Sequence, residues 1–236
     1  MLEVVSVEQM RLSDAYTIER FVPGRELMYR AAYGVYLAVE WRGRIAIVTG
    51  SGNNGGDGYA LGCILKDRGV VSTIFSLGDP KTDDSRYFCH LAEEKGIDIL
   101  PYIDSDLAGY DIIVDCILGT GFKGVPGGKY RDAIENIDRA NAYVVSVDIN
   151  SGMDGDTGYA ECAVHSDLTV TIGYVKQGLI VPSAADYIKK LVCADIGIIL
   201  TSSEGSIPSV DGTENEIQGK CFARPDWLDM NIIRAY

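Results

Sequence analysis

Short β-branched apolar runs alternate with longer stretches of helical spacing along most of this chain. Ile45-Ala46-Ile47-Val48 reads as a strand buried on both faces, because no polar residue interrupts it. Further strands are predicted at 70–77, 97–100, 110–116, 142–148 and 168–172, and residues 187–194 lead into another. A helix is predicted over 6–20, opened by Ser6, with a second start signal at Ser13-Asp14. Another follows Arg25 and puts Leu27, Ala31, Val35 and Ala38 on one side, with Gly34 allowing a close approach to a neighbouring helix or sheet. Helices over 59–66, 85–95 and 129–140 complete the set. This alternation implies an α/β fold with a mainly parallel central sheet and helices on both faces. The domain is expected to span 1–200. The remainder, 201–236, opens as a polar tail, and Arg224-Pro225-Asp226-Trp227-Leu228 is expected to pack back onto the domain.

Three predicted strands run into glycine-bearing polar loops. The first carries Gly50, Gly52, Asn53, Asn54, Gly55, Gly56, Asp57 and Gly58 between the strand at 45–48 and the helix at 59–66. A strand, a glycine-rich turn and a helix N-terminus make an anion site, because free backbone amides point outward there. No lysine follows the glycines, so the loop is not a P-loop. Gly50, Gly52 and Gly55 can be aligned with the dinucleotide fingerprint, a weak signal alone, and an ordinary tight turn is the alternative. The second loop follows Asp115 and runs from Ile117 to Gly128; the third follows the strand ending at Asp148 and runs to Gly158. In an open parallel sheet the carboxyl ends of the strands share one edge, so the three loops converge on one site.

Charge narrows the function. Lysines and arginines number 21 against 34 acidic residues, a net charge of −13, which leaves no basic surface for nucleic acid or an anionic membrane. The six cysteines show no CxxC pair and mostly fall in apolar runs, as buried thiols of a reducing compartment do. His90 and His165 are isolated, and read as surface or packing residues rather than metal ligands. No signal peptide or membrane-spanning run is evident, and the reading is a cytoplasmic protein.

The segments GSGNNGGDG at 50–58, VDCILGTGFKG at 114–124 and SVDINSGMDGDTG at 146–158 resemble the NAD(P)HX epimerase family, the YjeF N-terminal domain. The similarity extends to Glu26-Leu27-Met28, to 165–170, to Lys176-Gln177-Gly178 and to Asp195-Ile196-Gly197. The resemblance implies a Rossmann-like three-layer αβα sandwich that interconverts the R and S hydrates of NADH and NADPH, so that a separate dehydratase can repair the S form. It implies that Asn53, Asn54, Gly55, Gly56 and Asp57 contact the NAD(P)HX, and that Asn54, Asp115 and Ser151 bind a potassium ion. Gly119, Thr120, Gly121, Phe122, Lys123, Gly124 and Val125 would wrap the phosphates, and Asp148 would meet the nicotinamide side. A homodimer and a dehydratase partner are further expectations from the family.

A strand-end carboxylate in a partly dry cleft suits general acid/base work, so Asp148 is the expected catalytic group, and Lys123 is a candidate partner to the phosphates or to the reacting hydrate. Asn150 stands where the family usually has proline, which removes a rigid turn before Ser151. A nucleotide-binding scaffold without turnover is the alternative, as is a fragment of a bifunctional epimerase/dehydratase. A dehydrogenase is disfavoured, since Phe75-Ser76-Leu77-Gly78 before Asp79 makes no convincing acidic ribose clamp, and no catalytic His or Tyr-Lys pair is present.

Overall fold

The computed structural model describes residues 3–103, 107–201 and 233–235. In chain order these form β1 (Val4–Val5), α1 (Val7–Arg20), α2 (Gly24–Ala38), β2 (Ile45–Thr49), α3 (Asn53–Asp67), β3 (Ser72–Ser76), α4 (Asp83–Glu94) and β4 (Asp98–Pro101). They continue with β5 (Ile112–Cys116), α5 (Lys129–Arg139), β6 (Tyr143–Val147), β7 (Leu168–Ile172), β8 (Val175–Lys176), β9 (Leu191–Asp195) and β10 (Ile233–Arg234). The main sheet has the order β10-β9-β7-β6-β5-β2-β3-β4, and every pairing in it is parallel. The pair β1-β8 lies outside it.

The central strands serve both layers by simple alternation. Ile45 and Ile47 of β2, with Ile112 and Val114 of β5, pack into the core under α2, α3 and α4. Ala46 and Val48, with Ile113 and Val144, face the opposite core together with Ala133, Ile134 and Ile137 of α5. A third cluster, including Ile149, Leu179, Ala184 and Leu191, lies under the 3₁₀ turns Gln177–Leu179 and Pro182–Asp186. Helices thus cover both faces, as parallel crossover connections require. Gly34 makes the close approach to the sheet: a Cβ there would lie 2.6 Å from the Cβ of Ala194 on β9.

Two local expectations change. Ser13-Asp14 starts no new helix; α1 is continuous, and the Ser6 side chain caps it by accepting from the Gln9 amide at 3.1 Å. Ser13 instead turns inward, where its Oγ accepts from the Thr201 amide at 3.1 Å, while Thr17 Oγ1 accepts from Ile199 N at 2.9 Å. The glycine-rich loop is also shorter than expected. α3 begins at Asn53 rather than near Tyr59, so Asn53 to Gly58 are its first turns. Glycines ordinarily weaken a helix, by about 1 kcal/mol each against alanine. Here they permit contact that a side chain would prevent: a Cβ on Gly55 would lie 2.0 Å from Gly50 O, and one on Gly58 2.8 Å from Thr49 Cγ2.

β1 and β8, two residues each, are too short to carry a periodic signal and were missed from sequence. The expectation for Arg224 to Leu228 lies outside the described residues, as does Cys221. Ile233 and Arg234 stand opposite Ala194 and Asp195 of β9. Among the described residues no helix is long and apolar enough to cross a membrane. Cys63, Cys116 and Cys193 are buried, free thiols. His90 is exposed beside Glu93 and Glu94, and His165 pairs with Asp138 and stacks on Tyr187.

Candidate active site

A cavity of about 540 Å³ opens beyond the carboxyl ends of β2, β5 and β6, walled also by α1 and α2. The three loops expected to meet do meet. A Cβ on Gly50 would lie 1.9 Å from Ile117 O, so the first two loops touch backbone to backbone. Gly119 approaches α3 less closely, its Cβ position being 3.3 Å from Asn54 Cβ. At the start of α3, Gly52 is extended and provides no side-chain cap, which leaves the first amides of the helix to a ligand.

Of the three residues expected to bind a cation, Asn54 lines the cavity, while Asp115 and Ser151 lie behind the lining and bond to each other. Asp115 is fully buried at the end of β5. Its Oδ1 accepts from Ile117 N at 3.2 Å and Ser151 Oγ at 2.5 Å, and its Oδ2 from Ser146 Oγ and Ser151 N, each at 2.9 Å. Burial pushes this carboxyl above its ordinary range, and those hydrogen bonds oppose the rise. Ser151 Oγ also accepts from Leu118 N at 2.8 Å, which ties the second loop to the third. Asn54 is buried, yet neither its amide oxygen nor its amide nitrogen has a protein partner. Leaving such a group unpaired costs about 1–3 kcal/mol, the mark of a donor and acceptor held for a ligand. Among the described residues no group of three His, Cys, Asp or Glu is placed to hold a metal ion between them. An oxygen set of amide, carboxylate and hydroxyl fits a large hard cation instead.

Asp148 follows β6 directly. Among the described residues it is the one non-glycine with positive φ, at 69°. Such a backbone is strained and persists only where its surroundings hold it. Here its amide donates to Val170 O at 2.8 Å, and its carboxylate accepts from the ammonium of Lys176. Lys176 is 1% exposed and donates as well to Ile172 O at 2.7 Å and Thr171 Oγ1 at 3.1 Å. A charge so deeply placed requires this pairing. β8 is pinned to β1, so the short outer strand pair fixes the lysine in place. Two further carboxyls line the cavity. Burial pushes Asp57 well up, assisted by the charges of Asp148 and Asp14. Burial likewise raises Asp14 to about 6, with Lys176 opposing the rise and Asp148 adding to it.

Of the residues expected from sequence to meet the ligand, Asn53, Asn54, Asp57, Gly119, Thr120, Gly121, Phe122 and Asp148 line the cavity. Gly55 and Gly56 are buried within α3, where they permit packing, and Gly124 and Val125 lie farther out in the exposed part of the loop. Lys123 is outside the lining; its Nζ is 3.4 Å from Asp154 Oδ2 and 3.9 Å from Asp156 Oδ2. The lysine that meets Asp148 is Lys176. In sequence, Lys176-Gln177-Gly178 carries only the family resemblance and no role, and Asp14 reads as a helix start. The spacing of Met10 and Asp14, four residues apart on one helix face, was the signal for Asp14, since both line the cavity.

Asn150 replaces a rigid turn with side-chain bonds. It is fully buried, and its Nδ2 donates to Val164 O at 2.8 Å, Ser166 Oγ at 3.0 Å and Tyr187 O at 3.2 Å, while Thr169 Oγ1 donates to its Oδ1 at 2.6 Å. Asn150→Ala is expected to cost about 2–3 kcal/mol of stability, because it leaves buried partners unpaired. Urea unfolding checks this; a cost below about 0.5 kcal/mol, the range of an ordinary surface change, would remove the residue from the loop's support.

A parallel αβα sheet with a glycine-loop helix and a carboxylate cluster at its carboxyl edge defines a nucleotide-handling protein of the Rossmann-like class. The family model of the YjeF-related protein N-terminus matches residues 24–178, and the chain belongs to that family. It is 38% identical over 207 residues to an NAD(P)H-hydrate epimerase of Limosilactobacillus reuteri, a match covering 82% of this chain and 95% of that protein. It is 35% identical over 201 residues to the bifunctional NAD(P)H-hydrate repair enzyme Nnr of Archaeoglobus fulgidus, covering 84% of this chain and 42% of that one. The crystal structure of the yeast protein YNL200c superimposes with a TM-score of 0.69 at 21% identity, over 79% of this chain and 86% of that chain, and shares the fold.

Proposed function

We propose that this chain is an NAD(P)H-hydrate epimerase, an isomerase of nicotinamide nucleotide repair that acts on NADHX and NADPHX. The observation that carries the chemistry is the strained Asp148, held by the buried Lys176 and facing the cavity. Inversion at the hydrated ring carbon requires a bond to oxygen or within the ring to open and reclose, with a proton delivered and another removed. Asp148 moves that proton at its carboxylate. Asp57, whose carboxyl burial holds toward the protonated form, lies in the same cavity and delivers one proton, so that Asp148 is the group that removes the other. The free amides at the start of α3 and the loop from Gly119 receive the phosphates.

Asn54, Asp115 and Ser151 are the residues that would hold a potassium ion. The unpartnered Asn54 amide and the buried Asp115 suit it. Such an ion supplies positive charge that offsets the carboxylates facing a pyrophosphate. Isolated S-NADHX, followed by chromatography, is expected to yield the R form with this chain, faster in potassium than in sodium buffer by about tenfold, about 1.4 kcal/mol. Asn54→Ala is expected to abolish that cation preference. No appearance of the R form in either buffer would reject the epimerase, and equal rates in both would reject the ion. A dehydratase acting after this step, and self-association as a homodimer, complete the proposal.

A further inference from the structure

A second hollow of about 380 Å³ adjoins the main cavity and shares Ser51 and Tyr130 with it. It lies past the end of β3 and is lined by Lys81, Arg86 and Lys129 against a single carboxylate, Asp79. In a chain of net charge −13, this reverses the local sign. Arg86 is already committed, since its guanidinium donates to Lys81 O at 2.6 Å and pairs with Asp83 at 2.5 Å, fastening the loop. The Lys81 amide donates to Ser51 O at 2.8 Å, which joins the rim of the hollow to the glycine loop. Lys129 reaches across Gly78, where a Cβ would lie 3.7 Å from its Nζ. Neither the Lys81 nor the Lys129 ammonium has an ion-pair partner among the described residues.

The position of the hollow says which part of a dinucleotide would reach it. From β6, which ends at Asp148, to β3 is three strand steps, through β5 and β2. At about 4.8 Å per step this is about 14 Å along the sheet edge. A ligand with its hydrated ring at Asp148 and its phosphates over α3 therefore extends its adenosine end toward β3. In dinucleotide-binding sheets the end of the strand beside the glycine-loop strand reads the ribose 2′ position, an acid for a free hydroxyl and a cation for a phosphate. Here both types are present, and two ammonium groups outweigh Asp79 against a phosphate of about two negative charges.

Resting on the epimerase reading above, we propose that Lys81 and Lys129 form a phosphate-monoester subsite for the 2′-phosphate of NADPHX, so that this hollow sets a preference for the phosphorylated hydrate. The test compares the full chain with its Lys81→Ala/Lys129→Ala variant on both hydrates. The double variant is expected to lose at least about tenfold in kcat/KM on NADPHX, and to stay within about twofold of the parent on NADHX, the loss of charge-assisted bonds made by one substrate only. An equal fall on both hydrates, or no fall on NADPHX, would overturn the subsite. Calorimetry with adenosine 2′-monophosphate separates this from the activity itself. The parent chain is expected to bind it at least about tenfold more tightly than adenosine, and the double variant to lose that margin, whether or not either hydrate is isomerised. Inorganic phosphate binding as tightly as the nucleotide would assign the hollow to free phosphate and overturn the proposal.

Discussion

Asp148→Asn is expected to lower kcat by about 10³-fold, within the span that a positioned acid/base group contributes. The substitution isolates the chemistry. Asparagine tolerates the left-handed backbone that Asp148 adopts at φ 69°, so the loop keeps its shape. Its amide oxygen still accepts from Lys176, while the capacity to take and return a proton is gone. Binding of the hydrate, measured by calorimetry, is expected to change little. A variant that retains more than about a tenth of the parental kcat would reject the acid/base role, since even the weakest positioned groups contribute more. Asp148→Ala is the less useful variant because it adds backbone strain to the chemical loss.

Lys176→Met carries the second large effect, and it appears in stability as well as in rate. The ammonium is 1% exposed and bound by Asp148, Ile172 O and Thr171 Oγ1. Its removal leaves a carboxylate and two backbone or hydroxyl groups with a lost partner, and breaking a buried pair from one side costs about 3–5 kcal/mol. Turnover is expected to fall by about 10²-fold, the effect of a displaced general base. The double variant Asp148→Asn/Lys176→Met separates the two. If the pair is coupled, removing the charge from both partners recovers about 1–2 kcal/mol of the stability that Lys176→Met alone loses. Strict additivity in urea unfolding would show that the lysine supports β8 alone and does not hold Asp148.

Much of this was legible in the chain. The buried strands β2 and β5 announced themselves as uninterrupted β-branched runs, and the loops after them carried glycine where only glycine fits, as at Gly50 against Ile117 O. Asp115, Ser151 and Asp148 were likewise visible, because strand-end polar residues in a parallel sheet gather at one edge. What sequence did not reveal depended on contacts distant along the chain. Lys176 and Asp148 are 28 residues apart, and the lysine is placed by a two-residue strand pairing with Val4-Val5. Lys123 was attractive because it sits in the glycine loop, but its nearest charges are Asp154 and Asp156 on the loop that follows β6. The boundary of α3 was misplaced for a different reason. Its glycines argue for a turn by propensity, and the tertiary contacts that make them helical are not local.

The measurement that tests the account most directly is a coupled assay on a mixture of R- and S-NADHX in potassium buffer. A dehydratase acting only on the S form is added alone, and then together with this chain. The account predicts that recovery of NADH stops at the S fraction without the chain and goes to completion with it. It predicts as well that Asp148→Asn restores the stall. Recovery that stops at the S fraction with the parent chain present, at a concentration where hydrate binding is saturated, would contradict it and leave a nucleotide-binding fold without turnover.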